Sequence, residues 1–276
     1  MKHLFFSLVI CSLFCCTGVY AQNGKYVETN GVKIYYETYG SGEPLLLLHG
    51  FMGSHKNWST WIEDLSKEYQ LIVPDLRGHG RSTNPSKVYT HALSARDMFG
   101  LLDKLEIDRF KAIGHSSGAM TLTHMATMDS SRLTAMILVG STSYFPDECR
   151  SIQKNYSYET ISDGLKSFLE SHHPGGEEQY RELITQFRKM ADNYDDMNFT
   201  PPYLSTIKCQ TLIIHGDRDA FFPIDIPVSS FKAIPNSFLW IVPNTGHSPI
   251  GIMGDESIWS DVALKAFNEF LQGKWK

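Results

Sequence analysis

The chain has little cysteine, no basic run and no apolar stretch long enough to cross a bilayer. Of its 5 cysteines, Cys11, Cys15 and Cys16 precede Ala21, leaving Cys149 and Cys209. Two thiols do not make a disulfide framework, and a chain of 276 residues can bury a sizeable core without one. They are expected as independent thiols. No Cys/His cluster has metal-ligand spacing; His172-His173, beside Pro174-Gly175-Gly176, reads as a solvated turn. A formal charge of −5 without a Lys/Arg stripe argues against nucleic acid or an anionic membrane surface as partner.

The N-terminus carries an address. Met1-Lys2-His3 is a short positive start, Leu4 to Cys16 is apolar, and Val19-Tyr20-Ala21 offers small residues ahead of Gln22. Residues 1–21 are expected to be a signal peptide, making the protein secreted or periplasmic; the apolar core falls short of the ~20 residues of a spanning helix. Lipid anchoring at Cys15 or Cys16 is disfavoured, because bulky Phe14 or Cys15 would occupy the small-residue position.

Strand and helix signals then alternate. Asn30-Gly31 between Lys25–Thr29 and Val32–Thr38 marks a hairpin, since both residues tolerate positive φ. Further strands are expected at 45–49, 70–74, 110–114, 135–139, 211–215 and 237–242. Their near-continuous apolar character suits parallel strands buried on both faces. Helical spacing recurs in Trp58, Trp61, Ile62, Leu65 and Tyr69, in Met98, Leu101, Leu102 and Leu105, and in a C-terminal stripe of Ile258, Val262, Ala266, Phe267 and Phe270. The fold class is therefore α/β: a doubly wound, mostly parallel eight-stranded sheet flanked by helices, with an antiparallel start. Residues 143–205 break the alternation, with helical patterns at 161–169 and 180–190 and no convincing strand.

Three residues carry the chemistry. Gly114-His115-Ser116-Ser117-Gly118 follows a strand and precedes a helical run, the context in which a Ser at a sharp turn presents its Oγ above a sheet edge. Ser116 is the candidate nucleophile. A hydroxyl needs a base and a carboxylate to orient that base. Asp219, just past the strand at 211–215, is the candidate carboxylate; Asp217, directly after Gly216, would more naturally close the turn through its own backbone. His247, in the loop after the last strand, is the candidate base, an imidazole being the group that ordinarily exchanges protons near neutrality. The apolar strand ending at His49-Gly50-Phe51 places the N–H of Phe51 as one oxyanion donor, with the N–H of Ser117 as the other. His49 and His115 are expected to orient loops, His115 being also a candidate for substrate contact. Arg77, His79 and Arg81 are read as scaffold.

With these motifs in order, joined by Pro74-Asp75-Leu76-Arg77-Gly78-His79-Gly80-Arg81-Ser82 and His215-Gly216-Asp217-Arg218-Asp219, the chain resembles the α/β-hydrolase fold family. The resemblance runs from near residue 25 to the C-terminus. It implies a core of residues 22–142 and 206–276, and a helical cap over the active site formed by 143–205. Cap aromatics, among them Tyr144, Phe145, Tyr156, Tyr158, Phe168, Phe187, Phe199 and Tyr203, divide between pocket lining and packing. Ser at the elbow, where epoxide hydrolases and haloalkane dehalogenases carry Asp, argues against both activities. His49-Gly50-Phe51-Met52 departs from the His-Gly-Gly-Gly loop of the lipase branches.

The function expected is a serine hydrolase acting on a small carboxylic ester or lactone, with no cofactor or metal implied. A C–C bond hydrolase or a proline iminopeptidase would carry the same triad. For the latter, Glu177-Glu178 and Asp195-Asp196 are the acidic residues that would have to reach a free amine. A triad-bearing ligand receptor with little turnover is the alternative from another class.

Overall fold

Asn30 (φ 46°) and Gly31 (φ 76°) both adopt positive φ and close the hairpin of β1 (Gln22–Thr29) and β2 (Val32–Tyr39). The computed structural model describes residues 22–253 and 257–275; the expected signal peptide, 1–21, lies outside them. From the hairpin the chain builds β3 (Glu43–Leu48), β4 (Tyr69–Pro74), β5 (Phe110–His115), β6 (Leu133–Val139), β7 (Gln210–Gly216) and β8 (Ser237–Val242) into one sheet. The strand order is β1-β2-β4-β3-β5-β6-β7-β8. Pairings β1/β2 and β2/β4 are antiparallel and the rest parallel.

Strand β3 shows why the sheet needs helices on both sides. Its residues Leu45 to Leu48 are all fully buried and alternate between two cores. Leu46 and Leu48 pack under α2 (His91–Lys104) and α3 (Ser117–Met128), with Met98, Leu102, Leu122 and Met125. Leu45 and Leu47 pack under α1 (Ser59–Leu65) and α9 (Ser260–Leu271), with Trp61, Leu65, Phe267 and Phe270. Truncating any of the four to Ala would cost about 2–5 kcal/mol.

Three expectations shift. The periodic run from Trp58 is split, because His55–Trp58 forms a 3₁₀ turn before α1 and Tyr69 already belongs to β4. Strand β8 is half-buried, being the sheet edge with one neighbour only. The C-terminal stripe rotates: Ile258 lies ahead of α9 and is 87% exposed, Val262 is exposed, and Ala263 and Leu271 join Phe267 and Phe270 in the core.

Between β6 and β7 stand four helices, α4 (Asp147–Asn155), α5 (Asp163–His172), α6 (Gly176–Met190) and α7 (Pro201–Leu204), with α8 (Asp225–Ala233) following β7. The extended pairing within that segment is one isolated bridge, Tyr144 with Asn198. Leu169, Tyr180 and Ile184 from α5 and α6 form a small core with Met52 of the loop after β3. Among the described residues no helix is long and apolar enough to cross a membrane. Cys149 and Cys209 are both buried and unbridged.

Candidate active site

Ser116 sits between β5 and α3 at φ 50°, ψ −118°, a conformation costing a non-glycine residue about 1–3 kcal/mol. The surroundings hold it there. Its N–H donates to Val139 O at 2.8 Å and its carbonyl accepts from Met120 N at 2.9 Å. The turn is so tight that a Cβ on Gly114 would lie 2.6 Å from Ala119 N, and one on Gly118 only 2.2 Å from Leu48 O. The two glycines flanking the serines are steric requirements.

His247 comes from the loop after β8, and its Nε2 accepts from Ser116 Oγ at 2.9 Å. Its Nδ1–H donates to Asp219 Oδ2 at 2.8 Å. The other carboxylate oxygen of Asp219 accepts from the N–H groups of Phe221 (2.8 Å) and Phe222 (3.2 Å). Burial works to raise the Asp219 pKa, but the His247 bond and charge, with the Phe221 N–H, hold it below the usual value. The fully buried His215, at the end of β7, steadies this loop by donating from Nε2 to Phe222 O at 2.8 Å. Asp217 takes no part: its Oδ1 accepts from Thr245 N at 3.3 Å, bracing the neighbouring loop rather than closing its own turn.

The remaining sequence candidates lie around this chain of bonds. Phe51 and Ser117 both line the cavity beside Ser116, and among the described residues no protein acceptor takes the N–H of either. The loop bearing Phe51 is pinned by His49, whose Nδ1–H donates to Gly50 O at 2.8 Å while Nε2 accepts from Leu76 N at 2.9 Å. His115 also lines the cavity, but its Nε2–H donates to the backbone carbonyl of His247 at 3.1 Å. Burial pushes its pKa down to about 3, so it is a neutral brace for the histidine loop. Arg77 is structural: it forms a two-pronged pair with Asp97 at 2.6 and 2.9 Å.

Two groups escaped the sequence reading. The pair His172-His173 is not a solvated turn. His173 is 1% exposed, its Nε2–H donates to Met52 O at 2.9 Å, and its Nδ1 accepts from Gly80 N at 2.8 Å. Both ring nitrogens thus meet backbone groups from loops far away in sequence, which burial requires and adjacency to Gly and Pro conceals. The second group lies behind Ser117. His91 Nε2 is 3.1 Å from Ser117 Oγ, and His91 Nδ1–H donates to Asp196 Oδ2 at 2.7 Å. The Asp196 carboxylate also accepts from the N–H groups of His91 (2.8 Å) and Ala92 (3.1 Å) at the start of α2. It is therefore saturated and buried, while Glu177, Glu178 and Asp195 are exposed.

The cavity holds about 250 Å³. Of the aromatics between residues 143 and 205, Phe145, Tyr156, Phe168 and Phe187 line it. Tyr144 and Tyr203 are exposed, and Phe199 packs on His124. Among the described residues, no Asp, Glu, Lys or Arg lines it.

Comparison with known proteins agrees with this architecture. Residues 43–163 match a model described as the alpha/beta hydrolase fold. A 2-hydroxy-6-oxo-2,4-heptadienoate hydrolase of Pseudomonas putida is 25% identical over 84% of this chain and 92% of its own. A non-heme chloroperoxidase of Kitasatospora aureofaciens is 25% identical over 87% of this chain and 98% of its own. Among solved structures, a thermophilic esterase from Thermogutta terrifontis superposes with a TM-score of 0.69 at 25% identity, covering 91% of this chain and 98% of that one.

Proposed function

The chain belongs to the α/β-hydrolase fold family, and from that premise we propose that it is a serine hydrolase of small, neutral carboxylic esters or lactones. The observation that carries this reading is the continuous chain Ser116–His247–Asp219, at 2.9 and 2.8 Å, opening into a cavity to which the described residues bring no charged side chain. Ser116 Oγ attacks the carbonyl carbon while its proton passes to His247 Nε2. Asp219 stabilises the resulting imidazolium through Nδ1–H. The N–H groups of Phe51 and Ser117 receive the oxyanion, each such donor contributing about 3 kcal/mol. His247 returns the proton to the leaving alkoxide, and the acyl group remains on Ser116. A water molecule, deprotonated by His247, then adds to the acyl carbon; the acyl–Oγ bond breaks, His247 returns the proton to Ser116 Oγ, and the acid is released. Residues 143–205 act in this scheme as the cap that closes the apolar side of the cavity.

The lack of charge among the described wall residues weighs against the sibling chemistries. The relative from Pseudomonas putida is named for a dienoate, and a carboxylate moved into such a cavity would lose hydration without gaining a cation. An iminopeptidase needs an acidic group for the substrate's amine, and Asp196 is fully engaged elsewhere. A receptor has no use for the strained serine in register with its base. The test is a panel of p-nitrophenyl acetate, a neutral lactone, a 2-hydroxy-6-oxo-dienoate and a proline anilide. Ester or lactone should lead, with Ser116→Ala losing on the order of 10⁴-fold or more in kcat. Faster turnover of the dienoate or anilide would overturn the reading.

A further inference from the structure

The wall supplied by α4 departs from the apolar surface around it. Cys149 and Gln153, four residues apart, share one helix face and both line the cavity. Gln153 is 1% exposed, and its Oε1 has no hydrogen-bond partner. The same cavity is lined by Phe145, Tyr156, Phe187 and Met190. A buried carbonyl oxygen left unpaired is a standing penalty, and an apolar residue of the same length would remove it.

Among the buried side chains described in the wall, one other polar atom is unpaired, Asn57 Nδ2, but Asn57 has a folding role: its Oδ1 accepts from Ser54 N at 2.9 Å in the cap of the 3₁₀ turn. The Gln153 carboxamide does nothing comparable, since no described residue bonds it. With no partner among the described residues, a ligand in the cavity is the group placed to supply one.

We propose that Gln153 determines substrate specificity: its Oε1 accepts a hydrogen bond from an N–H or O–H group carried by the ester or lactone, so the preferred substrates bear an amide or hydroxyl within an otherwise hydrocarbon body. This rests on the ester-hydrolase reading of Ser116. A site that pairs a substrate donor discriminates against the analogue lacking it far more sharply than an apolar pocket discriminates by size.

The experiment compares wild type with Gln153→Leu, and with Gln153→Met, which keeps the side-chain length. The substrates are p-nitrophenyl esters of one chain length: plain alkanoyl, hydroxyl-bearing, and with a methylene replaced by amide N–H, the polar group moved stepwise along the chain. Wild type should favour a donor-bearing ester over the hydrocarbon ester at some position by tenfold or more in kcat/KM. Both variants should bring that ratio toward one and raise the rate on the hydrocarbon ester. The hydroxyl and amide arms identify which donor is used. An equal ratio in wild type and both variants at every position overturns the proposal. If wild type hydrolyses none of the esters, the Ser116 reading fails instead. Calorimetric binding of the matching methyl ketones then decides: donor-bearing ketones bound tenfold more weakly by Gln153→Leu uphold the pairing, and unchanged affinity overturns it.

Discussion

Asp217 and Asp219 follow the same strand two residues apart, and they differ in which nitrogen each meets. Asp219 meets the imidazole of His247 and Asp217 the backbone of Thr245. Asp219→Asn should therefore lower kcat by about 10⁴-fold through loss of the imidazole's orientation. Asp217→Asn should stay within a few-fold of wild type; steady-state kinetics on one ester separates the two, and equal losses would remove Asp219 from its role. That Ser116, Asp219 and His247 would meet was legible because each lies in the turn or loop following a strand that its own residues announce: 110–114, 211–215 and 237–242. Gln153 was not, because helical periodicity says nothing about whether a buried amide finds a partner.

The helices between β6 and β7 are joined to the sheet through polar ties that a local reading cannot see. His91 and Asp196 are 105 residues apart, and Gly80 and His173 are 93 apart. Burial works to raise the Asp196 pKa, but the charge and hydrogen bonds of His91, with the N–H of Ala92, outweigh it and hold it down to about 2. A carboxylate with a depressed pKa contributes stability above its ordinary value near 4 and loses it as pH falls toward 2. Asp196→Ala leaves His91 and two backbone N–H groups unpaired, and should cost about 3 kcal/mol, a fall in Tm on the order of 10 °C. Because His91 also touches Ser117, kcat should fall more than KM changes. A Tm unmoved by Asp196→Ala, measured by calorimetry at pH 7, would show that this tie does not hold the helices down.

At the scale of the whole molecule, buried histidines set the acid limit, His79, His115 and His173 among them. Burial pushes the pKa of His79 down to about 3, that of His115 to about 3 and that of His173 to about 4. In the unfolded chain each would bind a proton near its ordinary value of 6.5, so the unfolded state holds more protons than the native state between pH 6.5 and about 4. Stability therefore falls as pH drops through that window, at about 1.4 kcal/mol per pH unit for each histidine. Denaturant midpoints measured from pH 7.5 to 5 should decline steadily; a flat profile would mean these rings are protonated in the native fold. The sheet itself was legible almost strand by strand, because parallel strands buried on both faces read as unbroken apolar runs, whereas the edge position of β8 and the rotation of α9 depend on neighbours. The central claim, that Ser116 is the activated nucleophile of a neutral, apolar cavity, is tested most directly by fluorophosphonate labelling with peptide mass mapping. One label per chain is predicted, on the peptide bearing Ser116, and absent in both Ser116→Ala and His247→Ala. A label on Ser117 or elsewhere, or none on the folded protein, would contradict the account.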